Sequence, residues 1–323
     1  MGRKLFGDDL DTVLRNFAMP KSYDVHGIRM ILAQSLEDDK LDKIGGDFIK
    51  SLVHTTPYRI DRMNDHINST GTIVDIGGNI GSFTVYSALA FTMMDVYVFE
   101  PSPIGYFTVV YNLYLNGFEP IMLLDNDNIN NRLFSRSNMK THHFSGDKHF
   151  NNPHLYHPNR HDEGHGEGNN STARKQCIYA FWGAIGPTVP NITIAVDLHD
   201  SQLTAIPDEQ SETGSNFRYE VVPVWKVHGL LQMIKSSNPH NTTRIDFLKM
   251  DCEGCEFDVV VQLGKDFFPD RNKLPLVGME LHLSLMMPNE KTVAKKPIKE
   301  AINGLIELMN LRGCNTNFWE VMC

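Results

Sequence analysis

The amino-acid sequence predicts an α/β fold with a doubly wound, mostly parallel sheet and a helical segment before it. One observation is the stretch GTIVDIGGNIGSFTVY, residues 71–86, in which an apolar strand leads through a glycine-rich turn into a helix. A second is that strands without a polar face alternate with helically spaced segments beyond it. Such alternation is typical of parallel strands joined by right-handed helical crossovers and covered on both sides.

The first 70 residues predict a helical N-terminal cap. Apolar residues recur at helical spacing in Leu10–Phe17, Ile28–Leu36 and Asp47–Val53. Residues 71–323 are then expected to form the second, larger domain.

Within that domain, periodicity predicts strands and helices in the following order. Strands are expected at Thr72–Ile76, Asp95–Phe99, Gln176–Phe181, Ile192–Val196, Ile245–Met250 and Leu276–Glu280, and helices at Ser82–Phe91, Ile104–Asn116, Val227–Ile234 and Lys299–Leu311.

A polar insertion interrupts the alternation from about residue 126 to 175. It is rich in Asn, Gly and His, holds seven of the 14 histidines and has few apolar residues. It fits a surface or disordered insertion best, with a substrate lid as the alternative; its irregular histidine spacing is unlike that of a metal site.

Composition narrows the class of protein. The net charge of −9 and the lack of a basic stripe argue against a nucleic-acid partner. No apolar stretch approaches the roughly 20 residues of a membrane span, and MGRKLFGDDLDTVL lacks the apolar centre of a signal peptide, so a cytoplasmic protein is the default expectation. Five cysteines suggest reduced thiols, and the pair Cys252 and Cys255 is interpreted as small packing residues.

The glycine-rich turn distinguishes between two cofactors. A dinucleotide fingerprint needs glycines where Asn79 and Ser82 stand, so NAD is disfavoured. The turn instead matches the acidic-x-Gly-x-x-x-Gly pattern of S-adenosylmethionine (SAM) sites through Asp75, Gly77 and Gly81. Asp75 is expected to hold the turn and face the ammonium group of SAM, and the following helix N-terminus favours its carboxylate.

The next predicted strand ends in Glu100, before Pro101, Ser102 and Pro103. A carboxylate at the end of the second strand can accept hydrogen bonds from both ribose hydroxyls of a nucleoside. We therefore expect Glu100 to bind the SAM ribose, the alternative being a solvated charge at a strand end.

A third charged cluster follows the strand Ile245–Met250, in IDFLKMDCEGCEFDVV. It comprises Lys249, Asp251, Glu253 and Glu256. Ligands of α/β sheets bind beyond the carboxyl ends of the strands. The cluster is thus predicted to belong to the same site, unless it merely caps a helix.

Together these segments resemble the FkbM family of SAM-dependent methyltransferases. The resemblance rests on VDIGGNIGSFT (Val74–Thr84), FEPSP (Phe99–Pro103) with Asn112 and Asn116 after it, WGAIG (Trp182–Gly186), LKMDCEGCE (Leu248–Glu256) and ELH (Glu280–His282). It implies a class I, Rossmann-like methyltransferase fold and methyl transfer to a hydroxyl of a sugar, small molecule or glycan. It also implies that Gly78, Asn79 and Ala184 join the cofactor-binding residues.

Three residues are candidates for the catalytic base: Asp251, which we favour by its position, Glu253 and His282. Magnesium bound by Asp251, Glu253 and Glu280 remains open, although no spacing requires a metal. Two other functions also remain open, a protein N-methyltransferase and a SAM-binding module without catalysis. The sequence leaves the oligomeric state undetermined.

Overall fold

The computed structural model describes residues 20–25, 27–33, 70–124, 176–186, 190–197, 204–205, 217–237, 245–252, 255–256, 259, 276–280, 315–317 and 320–322. The predicted helices at 10–17, 47–53 and 299–311 and the insertion at 126–175 lie outside the described residues.

The described residues form the following strands: β1 (Lys21–Val25), β2 (Ile28–Leu32), β3 (Gly71–Ile76), β4 (Met94–Glu100), β5 (Ile121–Leu123), β6 (Ile178–Trp182), β7 (Ala184–Gly186), β8 (Asn191–Asp197), β9 (Thr204–Ala205), β10 (Phe217–Lys226), β11 (Phe247–Met250), β12 (Leu276–Glu280), β13 (Asn315–Asn317) and β14 (Glu320–Met322). The helices that they form are α1 (Ser82–Ala90), α2 (Pro103–Leu115) and α3 (Val227–Ser237).

The main sheet has the order β13-β14-β12-β11-β3-β4-β6-β5. The six strands from β12 to β5 pair in parallel, whereas β14 is antiparallel to β12. The chain moves from β3 to β4 on one side and later returns to β11 on the other. The doubly wound α/β fold is therefore confirmed, and the carboxyl ends of β3, β4 and β11 meet at one edge of the sheet.

Side chains of the central strands alternate between two apolar clusters, one on each face. On one face, Ile73, Val96 and Val98 pack with residues of α1 and α2. On the other, Val74, Tyr97 and Phe99 pack with residues of α3. Because both faces are buried, these strands have no polar side, as the sequence predicted.

The predicted helix Ile28–Leu36 is wrong for Ile28–Leu32, which forms β2 of an antiparallel hairpin with β1. Gly27 makes the turn with φ +78° and donates its N–H to Asp24 Oδ1 at 3.0 Å. Met30 and Leu32 are buried with α1 and α2 in one cluster, a period-two pattern. Such a short apolar run fits helical and strand spacing alike, and tertiary packing decides between them.

A second sheet, of order β7-β10-β8-β9, lies beside the main one. Its longest strand, β10, was not predicted, although Val222 and Val224 are buried while Tyr219 and Val221 are exposed. At its end, Trp225 packs into the cluster of α3 and donates its indole N–H to the Trp182 carbonyl at 2.9 Å. This contact joins the second sheet to the end of β6.

Candidate cofactor and methyl-transfer site

The glycine-rich turn, residues Gly77–Gly81, closes the end of β3 against β4. Gly77 and Gly78 both donate their N–H groups to the Phe99 carbonyl, at 2.9 and 3.0 Å. Gly77 has φ +82° and Gly81 φ +84°. A Cβ at Gly77 would lie 1.7 Å from the Asp251 carbonyl oxygen, so only glycine fits where the turn meets the residue after β11.

Glu100 ends β4 directly beside this turn. Its Oε2 accepts the N–H of Asn79 at 2.6 Å, and its Oε1 accepts the N–H of Ser102 at 2.8 Å. The residue is 6% exposed, and burial raises the pKa of its carboxyl to about 7, against the lowering effect of the two N–H groups. Each oxygen keeps a second acceptor position for a hydroxyl donor.

Asp75 lies inside the protein beneath the turn. Its Oδ2 accepts the Thr84 hydroxyl at 2.5 Å, and its Oδ1 lies 3.1 Å from Lys249 Nζ. Both side chains of this ion pair are nearly inaccessible, at 0% and 4% exposure. Burial raises the pKa of Asp75, and this effect outweighs the lowering effect of the Lys249 ammonium and the Thr84 hydroxyl.

Lys249 connects the glycine turn to β11. It donates to the Gly77 carbonyl and lies 4.0 Å from Asp251 Oδ2. Burial lowers its pKa, but the carboxylates of Asp75, Asp251 and Glu100 outweigh this and raise it, so the ammonium stays charged. The sequence indicated Lys249 only as one charge in a cluster, yet a lone lysine within the apolar strand IDFLKM is a signal for a paired buried charge.

Asp251 follows β11 at the carboxyl edge of the sheet. Its N–H bonds to the Ile76 carbonyl at 3.0 Å, and its side chain is 28% exposed. Next to it, Cys252 and Cys255 form a disulfide, and the Cys252 N–H donates to Glu256 Oε1 at 2.9 Å. The prediction of reduced thiols is therefore wrong for this pair, because the turn after β11 brings the two sulfurs into bonding distance. Both cysteines do pack against the apolar cluster of α3, as interpreted from the sequence.

Ala184 begins β7, just beyond the β6 residue that pairs with Glu100. Trp182 is that residue, and its indole N–H donates to the Pro101 carbonyl at 3.0 Å. Gly183 donates its N–H to the Glu100 carbonyl at 3.1 Å. Ala184 is half-buried, and because it follows Gly183 it lies near the same edge of the sheet as the glycine turn.

Glu253 and His282, the other proposed bases, lie outside the described residues, and Glu280 ends β12. Within the described ranges, no three His, Cys, Asp or Glu side chains are grouped to hold a metal ion. The helices in these ranges are also too short or too polar to cross a membrane.

Sequence reasoning missed two features of the site. One is Thr84, which fixes Asp75. The other is the role of Asn112, whose side chain donates to the Ile80 carbonyl of the glycine turn at 2.7 Å. A buried amide within the apolar run of α2 was the available signal, because a polar group in such a position needs a partner.

Comparison with known proteins agrees with this geometry. No curated protein and no solved structure matches the chain. A family model described as the methyltransferase FkbM domain matches residues 75–284, from the buried aspartate at the end of β3 to beyond β12. This match covers more than half of the sequence, and the chain belongs to the FkbM methyltransferase family.

Proposed function

We propose that this methyltransferase uses SAM and methylates a hydroxyl oxygen of a sugar, small-molecule or glycan acceptor. The observation that supports this best is the meeting of three strand ends. The glycine turn follows β3, Glu100 ends β4 and Asp251 follows β11, and these three strands are parallel neighbours. Glu100, the proposed hydrogen-bond acceptor for the ribose, and Asp251, whose carboxylate is 28% exposed, thus lie on either side of one turn.

The residues fit SAM in their chemistry. Glu100 has one remaining acceptor position on each oxygen for the two ribose hydroxyls. Gly77, Gly78 and Gly81 pack closely against neighbouring residues, which fixes the backbone of the turn, with Asn79, beside Glu100. Helix α1 begins after Gly81 with the positive end of its dipole toward the turn. Ala184 borders the same edge. Asp75 is fully buried and its oxygens are engaged by Thr84 and Lys249, so it holds the turn from beneath. This burial speaks against the expected contact of Asp75 with the ammonium group of SAM.

SAM supplies a methyl group on a positively charged sulfur, so the protein has to align the acceptor and remove one proton. In the proposal, SAM would supply the methyl group, and its carbon–sulfur bond would break, leaving the electron pair on sulfur, as the acceptor oxygen bonds to the carbon. Asp251 would accept the proton of that hydroxyl. Asp251 is held for this by its N–H bond to Ile76 and by Lys249 at 4.0 Å. Glu253 and His282 are the alternative bases.

The test is incubation of the purified chain with methyl-labelled SAM and small molecules and glycans extracted from the host, followed by mass spectrometry. A label on a hydroxyl oxygen supports the proposal. A label on a protein nitrogen would identify a protein N-methyltransferase instead. Binding of SAM and its demethylated product without any labelled compound would indicate a binding module.

A further inference from the structure

Asn112 of α2 and Asn116, the residue that caps its C-terminus, bind the N-terminal hairpin in the same way. Asn112 accepts the Ala33 N–H at 2.8 Å and donates to the Ala33 carbonyl at 3.1 Å. Asn116 accepts the Ile31 N–H at 2.9 Å and donates to the Ile31 carbonyl at 2.6 Å. Each side-chain amide therefore bonds to both the N–H and the C=O of one backbone residue, as a residue of a neighbouring strand would do at the edge of β2 and the residue after it.

The spacing of helix and strand makes this pairing regular. Four residues of an α-helix rise about 6 Å, and two residues of a strand rise about 6.6 Å. Asn112 and Asn116 on one helix face consequently match Ala33 and Ile31 on one strand edge. Both asparagines are buried, at 0% and 5% exposure, so neither amide has water as an alternative partner.

The third hydrogen bond distinguishes the two residues. Asn112 Nδ2 also donates to the Ile80 carbonyl of the glycine turn at 2.7 Å. Asn116 Nδ2 instead donates to the Asn112 carbonyl at 2.8 Å, within its own helix. Ile80 lies between Asn79, with φ +49°, and Gly81, with φ +84°. The bond thus holds the segment of the turn that has left-handed residues on both sides.

We propose that Asn112 is a positioning residue of the cofactor site, whose amide couples the β1–β2 hairpin to the glycine turn and thereby sets the affinity for SAM. The hairpin precedes the residues that the family model matches, so a segment outside the family domain supports the site. Val109, one helical turn earlier, packs against the turn as well: a Cβ at Gly81 would lie 3.0 Å from Val109 Cα. One face of α2 thus contacts both the hairpin and the turn, so a shift of the hairpin would also move the turn.

The experiment compares Asn112→Ala with Asn116→Ala in the full chain. Each variant removes three hydrogen bonds, two of them to the backbone of Ala33 (Asn112) or Ile31 (Asn116), so the losses of stability should be similar. We expect Asn112→Ala to weaken SAM binding by about tenfold, the worth of one buried hydrogen bond, and Asn116→Ala by less than about twofold. Equal weakening by both variants would overturn the proposal.

Amide hydrogen exchange of the cofactor-free protein gives a second readout, and this one does not depend on the proposed use of SAM. The Gly81 N–H bonds to the Gly78 carbonyl at 2.7 Å, and we expect it to exchange faster in Asn112→Ala than in Asn116→Ala. If the wild-type chain binds no SAM but this difference is found, the proposed cofactor is wrong and the coupling stands. Equal exchange in the two variants would refute the coupling.

If Asn112→Ala does not fold, native-state amide hydrogen exchange of the wild-type chain tests the coupling between the hairpin and the turn. Coupling predicts that the Ala33 and Gly81 amides open with the same free energy under mild denaturant. Opening of Ala33 without Gly81 would contradict it.

Discussion

Glu100 and Asp251 occupy equivalent places in the fold but have opposite surroundings. Each stands at the carboxyl end of a strand that pairs in parallel with β3, one on either side. Glu100 is 6% exposed and its two oxygens accept the N–H groups of Asn79 and Ser102. The Asp251 side chain is 28% exposed and lies 4.0 Å from the Lys249 ammonium.

The difference shows how one sheet edge can support two kinds of carboxylate chemistry. An acceptor fixed by two N–H groups is suited to binding hydroxyls in one geometry, because it has little freedom left. A carboxylate that remains accessible is suited to meeting a second substrate and taking its proton. We therefore expect substitutions at Glu100 to change affinity and substitutions at Asp251 to change rate.

The largest effect is expected for Asp251→Asn. The amide keeps the shape but loses the basicity, so turnover should fall by about 100-fold or more while SAM affinity changes by less than about tenfold. Turnover with any accepted hydroxyl substrate, together with calorimetric titration of SAM, measures both. If Asp251→Asn is fully active and His282→Gln is inactive, the catalytic base is His282 and not Asp251.

Glu100→Ala is expected to show the converse pattern. It removes the two proposed charge-assisted hydrogen bonds from the ribose, each worth about 1.5–3 kcal/mol. It also removes the acceptor of the Asn79 N–H in the turn. SAM affinity should fall by about 100-fold or more. The exposed Glu119→Ala serves as the control. If Glu100→Ala binds SAM with wild-type affinity, Glu100 is only a charge at a strand end and does not bind the ribose.

The raised pKa of Glu100 predicts that SAM affinity depends on pH. Because that pKa is raised to about 7, Glu100, the proposed acceptor of the ribose hydroxyls, loses its negative charge as the pH falls through 7. SAM affinity should fall about tenfold from about pH 8 to about pH 6, and this dependence should vanish in Glu100→Gln.

Stability of the cofactor-free chain should respond to Glu100 in the opposite sense. A carboxyl whose pKa is raised from 4.5 in the unfolded chain to about 7 binds its proton more tightly when folded. Its contribution to the free energy of unfolding therefore declines as the pH rises from about 4.5 to about 7. Denaturant unfolding of wild type and Glu100→Gln across this range is the measurement, and parallel curves would contradict the assigned pKa.

The smallest effect is expected for the Cys252–Cys255 disulfide beside Asp251. It closes a very short loop, so the chain-entropy estimate of its stabilisation is about 2 kcal/mol. The pair Cys252→Ser and Cys255→Ser should lower the free energy of unfolding by about that amount and leave SAM affinity unchanged, since the ribose acceptor lies on the other side of β3. Weakened SAM binding would show that the two sides of the turn are not separate.

Local pattern was sufficient to predict the parts of the fold that are both apolar and bounded by turns. β3, β4, β11, α1 and α2 were predicted within a few residues because their strands are buried on both faces and Gly or Pro marks their ends. The family followed from a resemblance of five motifs, among them the glycine turn and the charged string after β11. β2 and β10 were not predicted as strands, because half-buried segments take their structure from the neighbour they pair with.

Contiguous residues were sufficient to predict the central strands and the glycine turn, because the spacing of apolar residues and glycines is local, and the resemblance of five motifs was sufficient for the family. The partners became known from the folded chain: Lys249 with Asp75, Asn112 with Ile80 and Ala33, and Cys252 with Cys255. A buried charge or amide must be satisfied, which predicts that a partner exists. Which atom satisfies it depends on strand order and helix packing, and these bring together residues as far apart in sequence as β3 and β11.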